Sequence, residues 1–235
     1  MIPTLHRLRR IVFDPLAWYL SRRELRGFME HTDPDQLVDA TESYIGRGFY
    51  ARIRAVQERS EILGLTEIVR RLAPRVVVEI GTYKGGTLFL WCRLCREARL
   101  IASIDLPGGR WGGGYGSRRE RLYREFLYDR DTELVLMRAD SHRPETLAAL
   151  RGRLNGAPID FLYIDGDHTY EGVKEDFEMY SPLVRPGGCV AFHDIVTRRP
   201  DVRVARFWEE IRGSFRHEEL VDRPRSNKGI GILYL

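Results

Sequence analysis

The sequence predicts an α/β protein in which a helical N-terminal extension precedes a mostly parallel sheet that ends in antiparallel strands. From residue 75 onward, short apolar runs alternate with segments of helical length, which is typical of a parallel sheet covered by helices on both faces. The last two apolar runs, near 217–221 and 230–235, are joined by a loop too short to hold a crossover helix. They are therefore predicted to pair antiparallel.

The first 70 residues carry no strand pattern, so residues 1–70 are predicted to form the helical extension and residues 71–235 the main domain. An arginine-rich segment that Pro15 interrupts has apolar residues at helical spacing, namely Leu5, Leu8, Ile11 and Val12. We interpret this segment as a helix that packs on the domain or on a second subunit, in preference to an amphipathic helix on a membrane surface. Another helix is predicted to begin at Pro34.

A buried strand near 75–80 runs into a glycine-rich turn and then into an apolar helix near 86–97. Glycines let the backbone approach a ligand closely, and the helix that follows presents free N–H groups. The spacing differs from the G-x-G-x-x-G of dinucleotide-binding folds. The E-x-G-x-x-x-G-G pattern instead resembles the first motif of class I S-adenosylmethionine-dependent methyltransferases. This resemblance implies that the cofactor is bound by Glu79, Gly81, Thr82, Tyr83, Gly85 and Gly86.

The next two strands also end in polar residues. The strand near 100–105 ends at Asp105, which we assign to the ribose hydroxyls, because ligands of such sheets bind at the carboxyl ends of the strands. The strand near 133–138 leads into Asp140 and Ser141, which we assign to the edge of the adenine. Asp140 could instead cap the helix that is predicted near 143–153.

Acidic and imidazole groups are predicted to converge at this edge of the sheet from two further strands. They are Asp165, Asp167 and His168 after the strand near 159–164, and His193 and Asp194 after the strand near 188–193. Carboxylates in such a cluster repel one another unless a cation compensates them. We therefore predict a divalent metal held by Asp165, His193 and Asp194. His168 is the predicted general base, because imidazole accepts protons near neutral pH. The alternative is a polar cluster paired with arginines.

Three motifs resemble the methyltransferase domain 24 family: residues 165–173 (D-G-D-H-T-Y-E-G-V), 183–188 (L-V-R-P-G-G) and 192–194 (F-H-D). That family is similar to the macrocin-type sugar O-methyltransferases and the cephalosporin hydroxylase-like proteins. The resemblance implies a Rossmann-like class I methyltransferase sheet. It also implies transfer of the S-adenosylmethionine methyl group to a hydroxyl of a small molecule, such as a glycosyl or natural-product acceptor.

The resemblance further implies roles for individual residues. Asp165 and the pair His193-Asp194 correspond to magnesium ligands of the metal-dependent sugar O-methyltransferases, and His168 corresponds to their base. His193 is a departure, because those enzymes have a glutamate there. Imidazole is a poorer magnesium ligand. Either Asp167 substitutes, or a softer metal than magnesium, such as manganese, is bound, or the metal is absent.

Residues 106–116 are too rich in glycine to form a packed element, and they are predicted to form a lid above the cofactor site. Trp111 and Tyr115 on this lid would stack on the acceptor, and Lys228 in the C-terminal loop would reach it. A linker without such a function is the alternative.

Composition excludes several classes of partner. The net charge is only +4, and no arginine run is interleaved with aromatic residues, so nucleic-acid binding is not expected. No apolar run approaches the length of a membrane-spanning helix, and no signal peptide is recognised. The three cysteines form no disulfide framework, which favours the cytoplasm. Apolar faces of the N-terminal helices suggest a homodimer.

Two other functions are open at this point. The first is a non-haem iron oxygenase, because His168 and His193 with Asp165 or Asp194 would make a triad of two histidines and one carboxylate. The second is a catalytically silent protein that binds a nucleoside. Bound iron would indicate the first, and cofactor binding that is indifferent to His168 would indicate the second.

Overall fold

The computed structural model describes residues 13–110, 112–222 and 227–235. The predicted amphipathic segment around Leu5–Val12 and the predicted lid residue Trp111 lie outside these residues. Within the described part of the chain, no helix has both the length and the apolar character that crossing a membrane requires.

Three helices precede the sheet. They are α1 (Asp14–Phe28), α2 (Pro34–Ser43) and α3 (Arg59–Leu72). Pro15 lies in the first turn of α1. N–H groups in a first turn have no acceptor within the helix, so the missing N–H of proline costs no helical hydrogen bond. The predicted start at Pro34 is confirmed, and the Asp33 side chain accepts a hydrogen bond from the Asp35 N–H there.

The sheet has seven strands in the order β3-β2-β1-β4-β5-β7-β6. The strands are β1 (Val76–Ile80), β2 (Leu100–Ile104), β3 (Glu133–Met137), β4 (Ile159–Ile164), β5 (Val184–His193), β6 (Arg216–Leu220) and β7 (Ile230–Tyr234). The first five are parallel, whereas β7 runs antiparallel to both β5 and β6. This arrangement confirms the predicted fold class.

The helices between the strands are α4 (Gly86–Leu94), α5 (Glu120–Tyr123), α6 (Pro144–Leu154), α7 (Tyr170–Tyr180) and α8 (Val204–Ile211). Apolar residues at helical spacing predict a long helix near 118–129, and this prediction is wrong because α5 is a single turn. Buried Leu122, Tyr123 and Phe126 produce the helical spacing in the sequence. However, the Tyr128 N–H bonds to the Cys92 carbonyl at 3.2 Å and directs the chain onto α4.

Alternating strand residues divide the core between the two faces of the sheet. Val77 and Phe161 face a cluster that contains the N-terminal helices and α4, whereas Val78 and Leu162 face the cluster of α6, α7 and α8. The N-terminal helices therefore share a hydrophobic core with one face of the sheet.

The amino end of the sheet is held by Asp160, which lies opposite the predicted site, as expected. Its side chain accepts hydrogen bonds from the N–H groups of Arg75 and Val76 at 2.8 Å each and from the Arg185 guanidinium at 2.5 Å. These contacts tie β1, β4 and β5 together and leave the carboxyl ends of the strands to form a cleft.

Candidate active site

The glycine-rich turn lets three chain segments meet at the carboxyl end of β1. Gly81 has a φ of +92°, and a side chain there would collide with the Asp165 backbone after β4. A side chain at Gly86 would collide with the backbone of Arg54 and Ala55, so this glycine admits the N-terminal segment over the start of α4. The turn thus brings β1, β4 and the segment before α3 into contact.

A cleft of two adjoining cavities lies above this turn. One cavity, of about 410 Å³, is lined by Tyr83, Asp165, His168, His193, Asp194 and Lys228, among others. The second, of about 300 Å³, is lined by Leu106, Asp140, Ser141, His142 and Asp167, among others. Both cavities share Gly81, Asp105, Gly113 and Gly166. An elongated ligand can therefore extend from one cavity into the other past Asp105.

Asp105 is a buried acceptor at the junction of the cavities. Its Oδ2 accepts a hydrogen bond from the Tyr83 N–H at 2.9 Å, and only 5% of the residue is exposed. Burial raises the pKa of Asp105, against the opposing effect of backbone hydrogen bonds from Gly114 and Tyr83. A side chain at Gly113 would lie 2.8 Å from Asp105 Oδ1, so the glycine-rich loop folds directly against the carboxylate.

The other residues assigned to the glycine turn take different positions. Glu79 is fully buried beneath the turn, where its Oε2 accepts a hydrogen bond from Trp91 Nε1 at 2.8 Å. Thr82 bonds to the Ser103 hydroxyl inside the protein. Gly85 begins α4 with a φ of +76°. Of the six residues assigned to the cofactor here, only Gly81 and Tyr83 line the cleft.

The second cavity contains Asp140 and Ser141, together with a histidine that sequence reasoning missed. Asp140 does not cap α6, which begins after Arg143; its Oδ1 accepts a hydrogen bond from the His142 N–H at 3.0 Å. His142 Nε2 lies 3.2 Å from Oδ1 of the fully buried Asp176, and this contact raises the pKa of His142 to about 9. An acidic residue on α7, Asp176, was the available signal in the sequence. Spacing alone could not identify His142 as its partner.

The first cavity contains two carboxylate–imidazole pairs. His193 Nδ1 lies 3.1 Å from Asp165 Oδ1, and His168 Nδ1 lies 2.9 Å from Asp194 Oδ2. Burial lowers the pKa of both histidines, but the neighbouring carboxylates outweigh it, so the pKa of each is raised. Burial acts to raise the pKa of Asp194, yet the hydrogen bond to His168 lowers it. The carboxylates are therefore paired with histidines, and not with arginines as in the alternative interpretation.

The predicted metal ligands do not have the arrangement of a metal site. Across residues 13–110, 112–222 and 227–235, no three His, Cys, Asp or Glu side chains are grouped so as to hold an ion. Nδ1 of His193 faces the carboxylate of Asp165, so these two side chains do not point toward a shared position for an ion. Asp167 Oδ1 accepts a hydrogen bond from the Thr169 N–H at 2.8 Å, just before α7. The donor set as folded does not fit a divalent metal.

A second missed feature is the segment between Ile53 and α3. Gln57 Nε2 donates to Asp165 Oδ2 and to the Tyr163 hydroxyl, at 2.8 Å in each case. Lys228 lines the cavity, and its Nζ donates to the Val56 carbonyl at 2.6 Å and pairs with Glu58 at 3.0 Å. No periodic pattern marks this segment in the sequence.

Tyr115 does not lie on an exposed lid. Its ring is 4% exposed and packs edge-on against Tyr123 with 4.8 Å between the ring centroids. The prediction of an acceptor-stacking Tyr115 is corrected in this respect, because the loop turns its tyrosine into the core. The loop backbone nevertheless forms part of the cleft wall, through Leu106, Gly109 and Gly113.

Curated relatives of this chain include two proteins that are described as uncharacterized. The protein y4gI of Sinorhizobium fredii is 28% identical over 148 residues, and R132 of Acanthamoeba polyphaga mimivirus is 30% identical over 117 residues. These alignments cover 61% and 50% of this chain. The chain spans only 16% and 50% of the lengths of these relatives.

Solved structures with the same fold include two methyltransferases. The O-methyltransferase TomG from Streptomyces achromogenes, involved in tomaymycin synthesis and solved with S-adenosylmethionine, has a TM-score of 0.55 at 20% identity, covering 87% of this chain and 90% of its own. The calicheamicin methyltransferase CalS11 has a TM-score of 0.57 at 16% identity, covering 100% of this chain and 94% of its own. At these identities the likeness establishes the fold.

The sequence also matches a family model directly. A model described as a methyltransferase domain matches residues 78–195, which is about half of the chain. The matched range begins within β1 and ends just after the His193-Asp194 pair, so it contains the glycine turn, Asp105 and both carboxylate–imidazole pairs. The chain therefore belongs to the methyltransferase domain 24 family of class I S-adenosylmethionine-dependent methyltransferases.

Proposed function

We propose that the protein transfers a methyl group from S-adenosylmethionine to a hydroxyl of a small molecule. The observation that carries this proposal is the continuous cleft, in which Asp105 separates a cavity suited to a nucleoside from a cavity that holds two carboxylate–imidazole pairs. A nucleoside extended by an amino-acid chain matches this elongated shape. The first cavity, which contains His168, then accommodates the acceptor beside the reacting group.

Each end of the cleft has residues suited to one part of the cofactor. We assign Asp105 to the ribose hydroxyls and Asp140, Ser141 and His142, which line the second cavity, to the base. Gly81, which lines both cavities, is the position we assign to the amino-acid end. When bound, S-adenosylmethionine supplies an electrophilic methyl group on a positively charged sulfonium.

His168 is the group we assign to take the proton of the acceptor hydroxyl. Asp194 holds Nδ1 of His168 at 2.9 Å, and we assign Nε2 to accept the proton as the oxygen attacks the methyl group. The protein otherwise contributes alignment of the two reactants. We include no metal-assisted step, because Asp165, His193 and Asp194 pair with neighbouring side chains.

A natural-product or glycosyl hydroxyl is the proposed acceptor. The sugar O-methyltransferase resemblance of the 165–173 motif supports it, as does the shared fold with enzymes of tomaymycin and calicheamicin chemistry. Thr197, Arg199, Asn227 and Lys228 give the outer part of the cavity a polar lining, which suits an acceptor with several oxygen atoms.

Titration calorimetry with S-adenosylmethionine tests the proposal. Asp105→Ala is expected to weaken binding at least about tenfold, since a buried acceptor at the junction is lost. Asp131→Ala, on an exposed loop before β3, is the matched control and is expected to bind like the wild type. Absence of cofactor binding, with iron in the purified protein, would shift the assignment to an oxygenase.

A screen of hydroxylated acceptors, with S-adenosylhomocysteine release as the readout, tests the reaction itself. His168→Ala is expected to reduce turnover by about 10²–10⁴-fold, the usual contribution of a general base. Cofactor binding with no turnover on any acceptor, in both wild type and His168→Ala, would favour a catalytically silent nucleoside-binding protein.

A further inference from the structure

Three of the four carboxylate oxygens of Asp165 and Asp194 already have a nitrogen within hydrogen-bond distance. Asp165 Oδ1 faces His193 Nδ1 at 3.1 Å and His168 Nε2 at 3.8 Å, and its Oδ2 accepts from Gln57 at 2.8 Å. Asp194 Oδ2 contacts His168 Nδ1 at 2.9 Å, and its Oδ1 lies 3.8 Å from His193 Nδ1. The repulsion that would require an external cation is therefore relieved within the protein.

His193 is central to this arrangement. It is 5% exposed, it lines the cavity, and its Nδ1 is within 4 Å of a carboxylate oxygen of both Asp165 and Asp194. A point between two carboxylates is where a bound cation would otherwise lie. The sequence motif suggests such a cation in relatives that have a glutamate in place of His193.

We propose that the His193 side chain takes the place of a divalent cation, so that this chain forms no magnesium site and a single carboxylate at position 193 would create one. Two features support this. Hard cations are bound by oxygen ligands, whereas His193 supplies an imidazole in place of an oxygen ligand. Its Nδ1 occupies Asp165 Oδ1 at 3.1 Å and lies 3.8 Å from Asp194 Oδ1. The backbone is otherwise suitable, because β4 and β5 are adjacent and parallel and deliver all three positions to one edge.

Manganese binding tests this inference without any need for methyl transfer. Free Mn²⁺ is measured by electron paramagnetic resonance while MnCl₂ is titrated into the full-length protein, and calorimetry with MgCl₂ repeats the measurement. The wild type is expected to bind neither ion with a dissociation constant below about 1 mM, which is the weak limit of natural oxygen-ligand sites. His193→Glu is expected to bind Mn²⁺ with a dissociation constant at least about tenfold below that limit.

Two control variants separate the new site from nonspecific effects. His193→Gln removes the imidazole without adding a carboxylate, and it is expected to bind no more Mn²⁺ than the wild type. Combining His193→Glu with Asp165→Asn is expected to abolish the gain. His193→Asp supplies a second carboxylate variant if His193→Glu does not fold, with circular dichroism as the check.

Two results would overturn the inference. One is that the wild type binds Mn²⁺ with a dissociation constant below about 1 mM and that Asp165→Asn abolishes this binding. The histidine would then not exclude the cation. The other is no gain in folded His193→Glu or His193→Asp. The extension to catalysis, namely turnover unchanged by a chelator, rests on the proposed function. S-adenosylmethionine calorimetry on the same samples distinguishes a failure of that function from a failure of this inference.

Discussion

Gln57 is the residue whose contribution to the site is best defined by its contacts. Both of its amide hydrogens are used, one by Asp165 and one by the hydroxyl of the fully buried Tyr163. This leaves Asp165 with one orientation, in which Oδ1 faces the two histidines. A residue of the N-terminal segment thereby sets the geometry of a residue that follows β4.

We predict that Gln57→Leu lowers the free energy of unfolding by about 1–3 kcal/mol, because a buried hydroxyl and a buried carboxylate lose their donor. Chemical denaturation measures this. Gln36→Leu provides the matched control at an exposed position and should change stability by less than about 0.5 kcal/mol. Equal effects of the two substitutions would contradict the assignment.

The titration of Glu79 is expected to make the stability of the protein depend on pH. Burial raises its pKa from 4.5 to about 8, despite hydrogen bonds from Thr87 and Trp91. A raised carboxyl pKa means that the folded state binds the proton more tightly than the unfolded state does. The contribution of Glu79 to stability is therefore present below pH 4.5 and is lost as the pH rises to about 8.

We expect Glu79→Gln to remove this loss, so that stability relative to the wild type increases across that pH window by as much as about 4 kcal/mol. Denaturation curves at pH 5, about 6.5 and about 8 would measure it, with exposed Glu42→Gln as the control. A pH-independent difference between Glu79→Gln and the wild type would show that the carboxyl group does not titrate in this range.

At the scale of elements, the segment from the 3₁₀ turn Gly48–Tyr50 to the start of α3 is held onto the glycine turn by Arg119. Its guanidinium donates to the carbonyls of Ala51 at 2.8 Å and Lys84 at 3.1 Å, and to that of Arg52. It also donates to the Tyr123 hydroxyl at 2.9 Å. One planar side chain thus joins the N-terminal segment, the glycine turn and α5.

We predict that Arg119→Met increases hydrogen exchange in residues 49–58 and weakens S-adenosylmethionine binding, because the segment and the turn lose a shared donor. Arg119→Lys should restore little, since an ammonium cannot reproduce the forked geometry. Arg124→Met, at an exposed position that follows α5, is the control. Unchanged exchange in Arg119→Met would show that packing at Gly86 alone holds the segment.

At the scale of the whole molecule, the N-terminal helices and the sheet share one core. Leu25, Leu37 and Leu65 from these helices belong to the same buried cluster as Phe89 and Tyr163. Gln57 and Lys228 add polar links at the cleft. The extension is therefore a structural part of the domain that carries the site.

We expect one cooperative unfolding transition for the full chain, with circular dichroism and tryptophan fluorescence giving the same midpoint, because neither part can lose the shared core independently. The Trp18→Phe variant lacks the tryptophan of α1, so its comparison with the wild type isolates the fluorescence change of that helix. Two separated transitions would indicate that residues 13–58 fold independently of the sheet.

The sequence by itself determined the alternation of strands and helices and the positions of the polar residues at the strand ends. Apolar runs alternating with helical segments imply a parallel sheet, and the carboxyl ends of its neighbouring strands must meet at one edge. Asp105, Asp165 and His193 could therefore be assigned to one cleft from the sequence alone. Local spacing was sufficient because each residue directly follows, or ends, its own strand.

Only the tertiary structure decided which of these groups contact one another. Gln57 and Asp165 are 108 positions apart, and Gln57 lies in a segment without periodicity. The pairing of His193 with Asp165 and of His168 with Asp194 depends on side-chain orientation across two strands. Tyr115 turned into the core for a similar reason, since a glycine-rich loop has no pattern that specifies its buried side. Contacts between distant segments depend on how the whole chain packs, and neither composition nor spacing encodes them locally.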